Sequence, residues 1–175
     1  MEILRTCLPV RWSEVATISG LKNLREIDIG LRSRIHGLNE KLSKDDWAKT
    51  LDEMPGLICP TEGCFSPFIE NKFLTSLKNH GYSKVIVRDE HLSKISTREI
   101  SELTNVEEIP YAGSILTEDE GIYATTHWDS HFSFFCFKSK DLLNEIIARD
   151  GYEGFFCDQE TEVYWSVRNL TSTST

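Results

Sequence analysis

His127, Asp129 and His131 stand at alternate positions of the stretch Thr-Thr-His-Trp-Asp-Ser-His over residues 125–131. Two imidazoles and a carboxylate are the groups that bind a divalent metal or move protons. On an uninterrupted strand, where successive side chains alternate, the three project to one face and Cys136 to the other. Steps of about 7 Å along a strand spread such ligands too widely to meet at one ion unless other elements contribute. The same residues also fit a hairpin that turns at Asp129 and Ser130, with Trp128 opposite His131 and His127 opposite Phe132 as rim residues of an aromatic sheet. The hairpin is preferred, and no metal or cofactor is expected. His127, Asp129 and His131, with Cys157, are the candidate residues of the alternative, a small metal-dependent enzyme.

The remaining reactive side chains give weaker signals. Cys59 and Cys64 form a C-x4-C pair that Cys136 and Cys157 would complete, but structural zinc sites use two tight pairs and a predicted helix splits the second. Five cysteines, an odd number, fit reduced and mostly buried thiols better than a disulfide framework. Cys136, set within Phe134, Phe135 and Phe137, is too apolar in context for a thiolate nucleophile. No glycine-rich phosphate loop, nucleophile elbow or helical zinc-protease motif is present, so a non-enzymatic role is expected.

Charge points to a different kind of function. Nineteen basic against 28 acidic residues leave a net charge of -9, a field that repels phosphate backbones and favours a basic protein partner. Acidic turns precede aromatic residues twice: Glu118, Asp119 and Glu120 before Tyr123 and Trp128, and Asp158, Glu160 and Glu162 before Tyr164 and Trp165. Aromatic anchors with carboxylates to steer a cationic partner make Glu118, Asp119, Glu120, Tyr123, Trp128, Asp158, Glu160 and Glu162 the expected partner-binding residues.

These residues need a frame. Ile27, Leu31, Ile35, Leu38 and Leu42 recur at helical spacing from Leu24 onward, and Trp12, Val15 and Ser19 allow a shorter helix before them. Ser43 reads as the cap of another helix through Trp47, Leu51 and Met54. After the break at Pro55 and Gly56, Ser66 and Pro67 open a helix that Gly81 closes. Residues 84–88 read as a buried strand, and Ser96, Thr97, Arg98 and Glu99 as a capping box for a helix to about Leu103. Strands follow at 114–117, 121–128 and 131–137; Ser139 then caps a helix that Gly151 stops, and a last hairpin spans 154–158 and 162–167. Helices first and hairpin-linked strands later define an α+β fold, a helical N-terminal half on a mainly antiparallel sheet of five or six strands. One domain over residues 1–175 is expected, helical to about residue 80, sheet-rich over about 81–170, with a disordered tail at 171–175. The N-terminal residues lack a signal-peptide run and no stretch reaches membrane-spanning length, so a cytoplasmic protein is expected.

Residues 122–137, then Gly154, Phe155, Phe156 and Cys157, then Thr161, Glu162, Val163, Tyr164 and Trp165, resemble the C-terminal half of DUF2711, a group of small bacterial cytosolic proteins. That resemblance supplies no catalytic residue. By type, in size, acidity and compartment, the chain also resembles the immunity proteins of contact-dependent inhibition and other polymorphic toxin systems. The expectation is therefore a cytoplasmic immunity protein that covers the active site of a cognate toxin, a basic ribonuclease, without contacting nucleic acid or membrane itself.

Overall fold

The computed structural model describes residues 2–38 and 40–157. Five helices come first: α1 (Glu2–Thr6), α2 (Trp12–Ser19), α3 (Leu24–Arg34), α4 (Asp45–Asp52) and α5 (Pro67–Asn79). Strands β1 (Lys84–Arg88) and β2 (Ile95–Glu99), helix α6 (Ile100–Leu103), strands β3 (Ser114–Thr117), β4 (Ile122–Thr126) and β5 (Ser133–Phe137), and helix α7 (Lys140–Asp150) follow. The protein is α+β, and the five strands among the described residues form one sheet in the order β2-β1-β3-β4-β5 with every pair antiparallel. Two compact units are present, residues 2–10 with 59–152, and residues 11–58 with 153–157. The division falls inside the loop marked by Pro55 and Pro60, so α5 belongs with the sheet rather than with the earlier helices.

In the helical unit, Asn23 caps α3 by accepting from the Glu26 N–H at 3.1 Å, while the Glu26 carboxylate takes the Lys22 N–H at 2.7 Å. The helix ends sooner than its apolar stripe predicts. His36 enters the left-handed region at φ 57 and the Gly37 N–H returns to the Arg32 carbonyl at 2.9 Å, so Leu38 is buried from a loop. Gly30 lets α4 approach: a Cβ there would lie 3.0 Å from Leu51 Cδ1 and 3.3 Å from Trp47 Cβ. Ser43 is not the cap of α4. That position is Lys44, which has no side-chain cap, and Ser43 instead donates its hydroxyl to Asp45 Oδ1 at 3.1 Å. Glu153 joins this unit by accepting from the Trp12 N–H at 2.6 Å and from the Ser13 hydroxyl at the start of α2.

In the sheet unit, Pro67 opens α5, whose buried Phe73, Leu74 and Leu77 pack with Val85, Val87, Ile115, Ile122, Ala124 and Ile146 in one apolar cluster. Burying each large side chain contributes about 1.5–3 kcal/mol. Residues 96–99 form strand, not a helix cap. β2 pairs residue for residue with β1, from Lys84 opposite Glu99 to Arg88 opposite Ile95, and this ladder overrides the local capping signal, leaving only Ile100–Leu103 helical. Ser139 caps α7 by accepting from the Leu142 N–H at 3.2 Å, and Gly151 stops it at φ 64. Behind the core, the buried Ser76 hydroxyl joins α5 to α7 through the Asp150 carboxylate and the Tyr152 hydroxyl, the latter at 3.0 Å. The Arg149 guanidinium, then Ser76, holds the Asp150 carboxyl down to about 2. Residues 154–157 adopt no strand, and the remainder of the predicted last hairpin, with the tail, lies outside the described residues.

All five cysteines are free, and they are less buried than the sequence suggests. Cys7, Cys59 and Cys64 are partly buried, whereas Cys136 and Cys157 are exposed. Cys136 sits on edge strand β5 opposite Tyr123, on the sheet face turned away from the core residues Phe135 and Phe137.

Candidate functional site

The antiparallel register brings the end of β1, the start of β3, the end of β4 and the start of β5 to one edge of the sheet, since Arg88 lies opposite Ser114, Ser114 opposite Thr125 and Thr126 opposite Ser133. The loops at that edge, residues 59–66, 104–113 and 127–132, are tied together through the backbone of Gly63. Its N–H donates to the Ser130 carbonyl at 3.0 Å, and its own carbonyl accepts from the Ala112 N–H at 2.6 Å and from the Thr126 hydroxyl at 2.8 Å. Glycine suits this position, since φ is +65 and a Cβ would lie 2.5 Å from the Tyr111 ring, which would have to swing aside. Gly113 is confined by backbone, with the carbonyl oxygens of Pro110 and Arg88 at 2.6 and 3.0 Å from where its Cβ would stand.

His127, Asp129 and His131 lie in this cluster but do not project together as on a strand. β4 ends at Thr126, and the Asp129 N–H donates to His127 Nδ1 at 3.2 Å while the Ser130 N–H donates to the His127 carbonyl at 2.9 Å. The predicted pairing of Trp128 with His131 is therefore replaced by a turn at residues 127–130, and His131 reaches the Pro60 carbonyl through Nδ1 at 2.8 Å. A carbonyl only accepts, so His131 carries a proton on Nδ1; His127 accepts at Nδ1, which places its proton on Nε2 in the neutral ring. Asp129 and His131 are buried, and His127 stacks on Trp128 with ring centres 5.6 Å apart. Among the described residues, no three His, Cys, Asp or Glu side chains converge as a metal site would require.

The outer face of the cluster is aromatic and acidic. Tyr111 is 49% exposed and Trp128 37%, and the Tyr111 hydroxyl donates to the Trp128 carbonyl at 3.4 Å. Desolvation pushes the Tyr111 phenol up, and the charges of Glu62, Asp129 and Glu90 add to it, so the ring stands in a negative field. Burial, then Glu70 and Glu62, likewise pushes the Cys64 thiol up, which disfavours the reactive thiolate.

Glu118, Asp119 and Glu120 occupy the opposite edge, beyond the far end of β4, a strand about 14 Å long. Asp119 builds its own turn, accepting from the Thr117 hydroxyl at 2.6 Å, the Gly121 N–H at 2.9 Å and the Tyr82 hydroxyl at 3.0 Å, and these bonds, led by that of Thr117, hold its carboxyl below the usual range. Glu120 pairs loosely with Lys138 at 3.9 Å, and Glu118 is exposed. Tyr123 is partly buried opposite Cys136, so of the expected aromatic anchors among the described residues only Trp128 belongs to the loop cluster. Asp158, Glu160 and Glu162 lie outside the described residues. Sequence reasoning passed over Glu62, Glu90 and Tyr111, although a proline at 110 and a glycine at 113 flanking Tyr111 just before β3 are a turn signal.

The chain belongs to DUF2711, described as a protein family of unknown function, whose profile matches residues 1–167 and so extends well beyond the C-terminal resemblance. It is similar to the uncharacterized protein YwbB of Bacillus subtilis (strain 168), with 24% identity over 161 residues, covering 89% of this chain and 71% of that protein. No solved structure gives a significant match. Among the described residues, no helix is long and apolar enough to cross a membrane.

Proposed function

We propose that the protein acts by binding: a cytoplasmic immunity protein whose acidic, aromatic loop cluster covers a basic toxin domain, a ribonuclease in the simplest case. The observation that carries the proposal is the pairing of half-exposed Tyr111 and Trp128 on loops pinned through Gly63, within the field of Glu62, Glu90 and Asp129. Aromatic anchors on a rigid platform bind without a large ordering cost, and a net charge of -9 speeds encounter with a cationic surface. The alternative, a metal-dependent enzyme built on His127, Asp129 and His131, is less well supported, because among the described residues these three side chains do not converge on one point.

The test is calorimetric titration against a basic toxin domain encoded beside this chain's gene. Affinity should weaken at least about tenfold between about 50 and 300 mM salt, and similarly when Glu62 and Glu90 are both changed to lysine. Binding indifferent to both changes, or no toxin domain encoded there, counts against the proposal.

A further inference from the structure

Glu70 is the most deeply buried carboxyl among the described residues whose burial is given, at 4% exposure in the first turn of α5. Its surroundings are made by the segment that carries Tyr111. The backbone N–H groups of Glu108 and Ile109 face its carboxyl, and the next residue of the helix, Asn71, holds the same segment through Oδ1, which accepts from the Asn105 N–H at 2.6 Å. The charged or titratable groups that bear on Glu70 are Glu107 and Glu108 from this segment and Cys64 from the loop before α5. Glu108 is itself paired, since Arg98 of β2 binds it at 2.8 Å and also reaches Glu102 at 3.4 Å. The segment itself is held under backbone tension, with Asn105, Glu107 and Ala112 all in the left-handed region at φ 68, 56 and 46.

We propose that Glu70 is a proton-controlled latch on the 104–113 segment: the neutral carboxyl closes the segment onto α5, and the ionised one, buried beside Glu107 and Glu108, opens it. Two opposing effects set the balance. Backbone N–H groups favour the carboxylate, while burial and the two neighbouring carboxylates disfavour it, and burial is the largest effect, raising Glu70 from 4.5 to about 7. Release of the segment returns Glu70 to water and to its ordinary value. Proton linkage then shifts the closed-to-open ratio toward open by a factor on the order of a hundred as pH rises through that interval. The sign is opposite to that of most carboxylates: the closed form is favoured below about 4.5, is progressively lost as pH rises from there to about 7, and changes no further above it. Because Ala112 bonds Gly63 and Tyr111 overlies it, opening also disorders the aromatic surface. That consequence for binding rests on the proposed recognition role; the latch does not.

Backbone amide hydrogen exchange, corrected for intrinsic rates, separates the two. At about pH 5 the amides of Asn105, Glu108, Ile109 and Ala112 should be protected, and at about pH 8 their protection factors should fall at least about tenfold relative to those of β1 and β4. In Glu70→Gln, which keeps the shape and cannot ionise, protection should stay level across this range. Changing Glu107 and Glu108 together to glutamine should move the transition to lower pH, because removing their repulsion lets Glu70 ionise while the segment is still closed; a transition that stays in place or moves to higher pH overturns the latch. Protection unchanged with pH in the native protein, or falling equally in Glu70→Gln, overturns the latch. A latch that titrates as stated while toxin affinity stays constant across the same pH range leaves the latch standing and counts against the recognition surface.

Discussion

Replacing Gly63 by alanine tests the loop cluster at the point where its backbone bonds meet. The left-handed φ of +65 costs a non-glycine residue about 1 kcal/mol. The new methyl group would also lie 2.5 Å from Tyr111 Cε2 and 2.7 Å from Cζ. Tyr111 can relieve this contact, because it is 49% exposed and its hydroxyl is tethered by one bond of 3.4 Å, whose loss costs about 0.5–1 kcal/mol. The expected total is about 2 kcal/mol, measured by urea denaturation of the sheet unit's fluorescence. In a Tyr111→Ala background only the backbone cost remains, about 1 kcal/mol, which leaves a coupling of about 1 kcal/mol between the two positions. Equal costs in both backgrounds would mean that Tyr111 does not overlie Gly63. A cost below about 0.3 kcal/mol would refute the left-handed turn as well.

Other positions give contrasting outcomes. Gly113→Ala should cost about 3 kcal/mol, more than Gly63→Ala, because the atoms its Cβ meets are the backbone oxygens of Pro110 and Arg88 and cannot swing aside; a loss under about 1 kcal/mol in the same denaturation assay would contradict this. Asp150→Asn should cost about 1–2 kcal/mol at pH 7. The folded-state carboxyl is held down to about 2, below its ordinary 3.8, so its stabilisation is present above that ordinary value and lost as pH falls through the interval. Native and variant proteins should therefore converge in stability near pH 2, and a gap that is the same at both pH values would exclude the Arg149 and Ser76 contacts as its source.

Elements punctuated by their own residues were legible in the sequence. Pro67 and Gly81 frame α5, Ser139 and Gly151 frame α7, and the alternating burial of β4 follows its apolar positions. Misreadings arose where a distant partner decides. Residues 96–99 carry a local capping pattern, yet the ladder with β1 makes them strand. The histidine motif was visible, but its geometry was not, because His131 is fixed by a carbonyl 71 residues earlier in the chain. The same holds for Gly63, whose partners Ala112, Thr126 and Ser130 come from the other loops at that edge of the sheet. The acidic turn at Glu118, Asp119 and Glu120 was readable as charge; that Asp119 spends its oxygens on Thr117, Gly121 and Tyr82 was not.

The most direct measurement of the binding surface is a hydrogen-exchange footprint of the protein with and without the toxin domain, at a pH below 7. Protection should concentrate in residues 59–64, 109–113 and 127–131 and be absent from 118–121. Protection centred on 118–121, with the loops around Gly63 unchanged, would contradict the placement of the recognition surface.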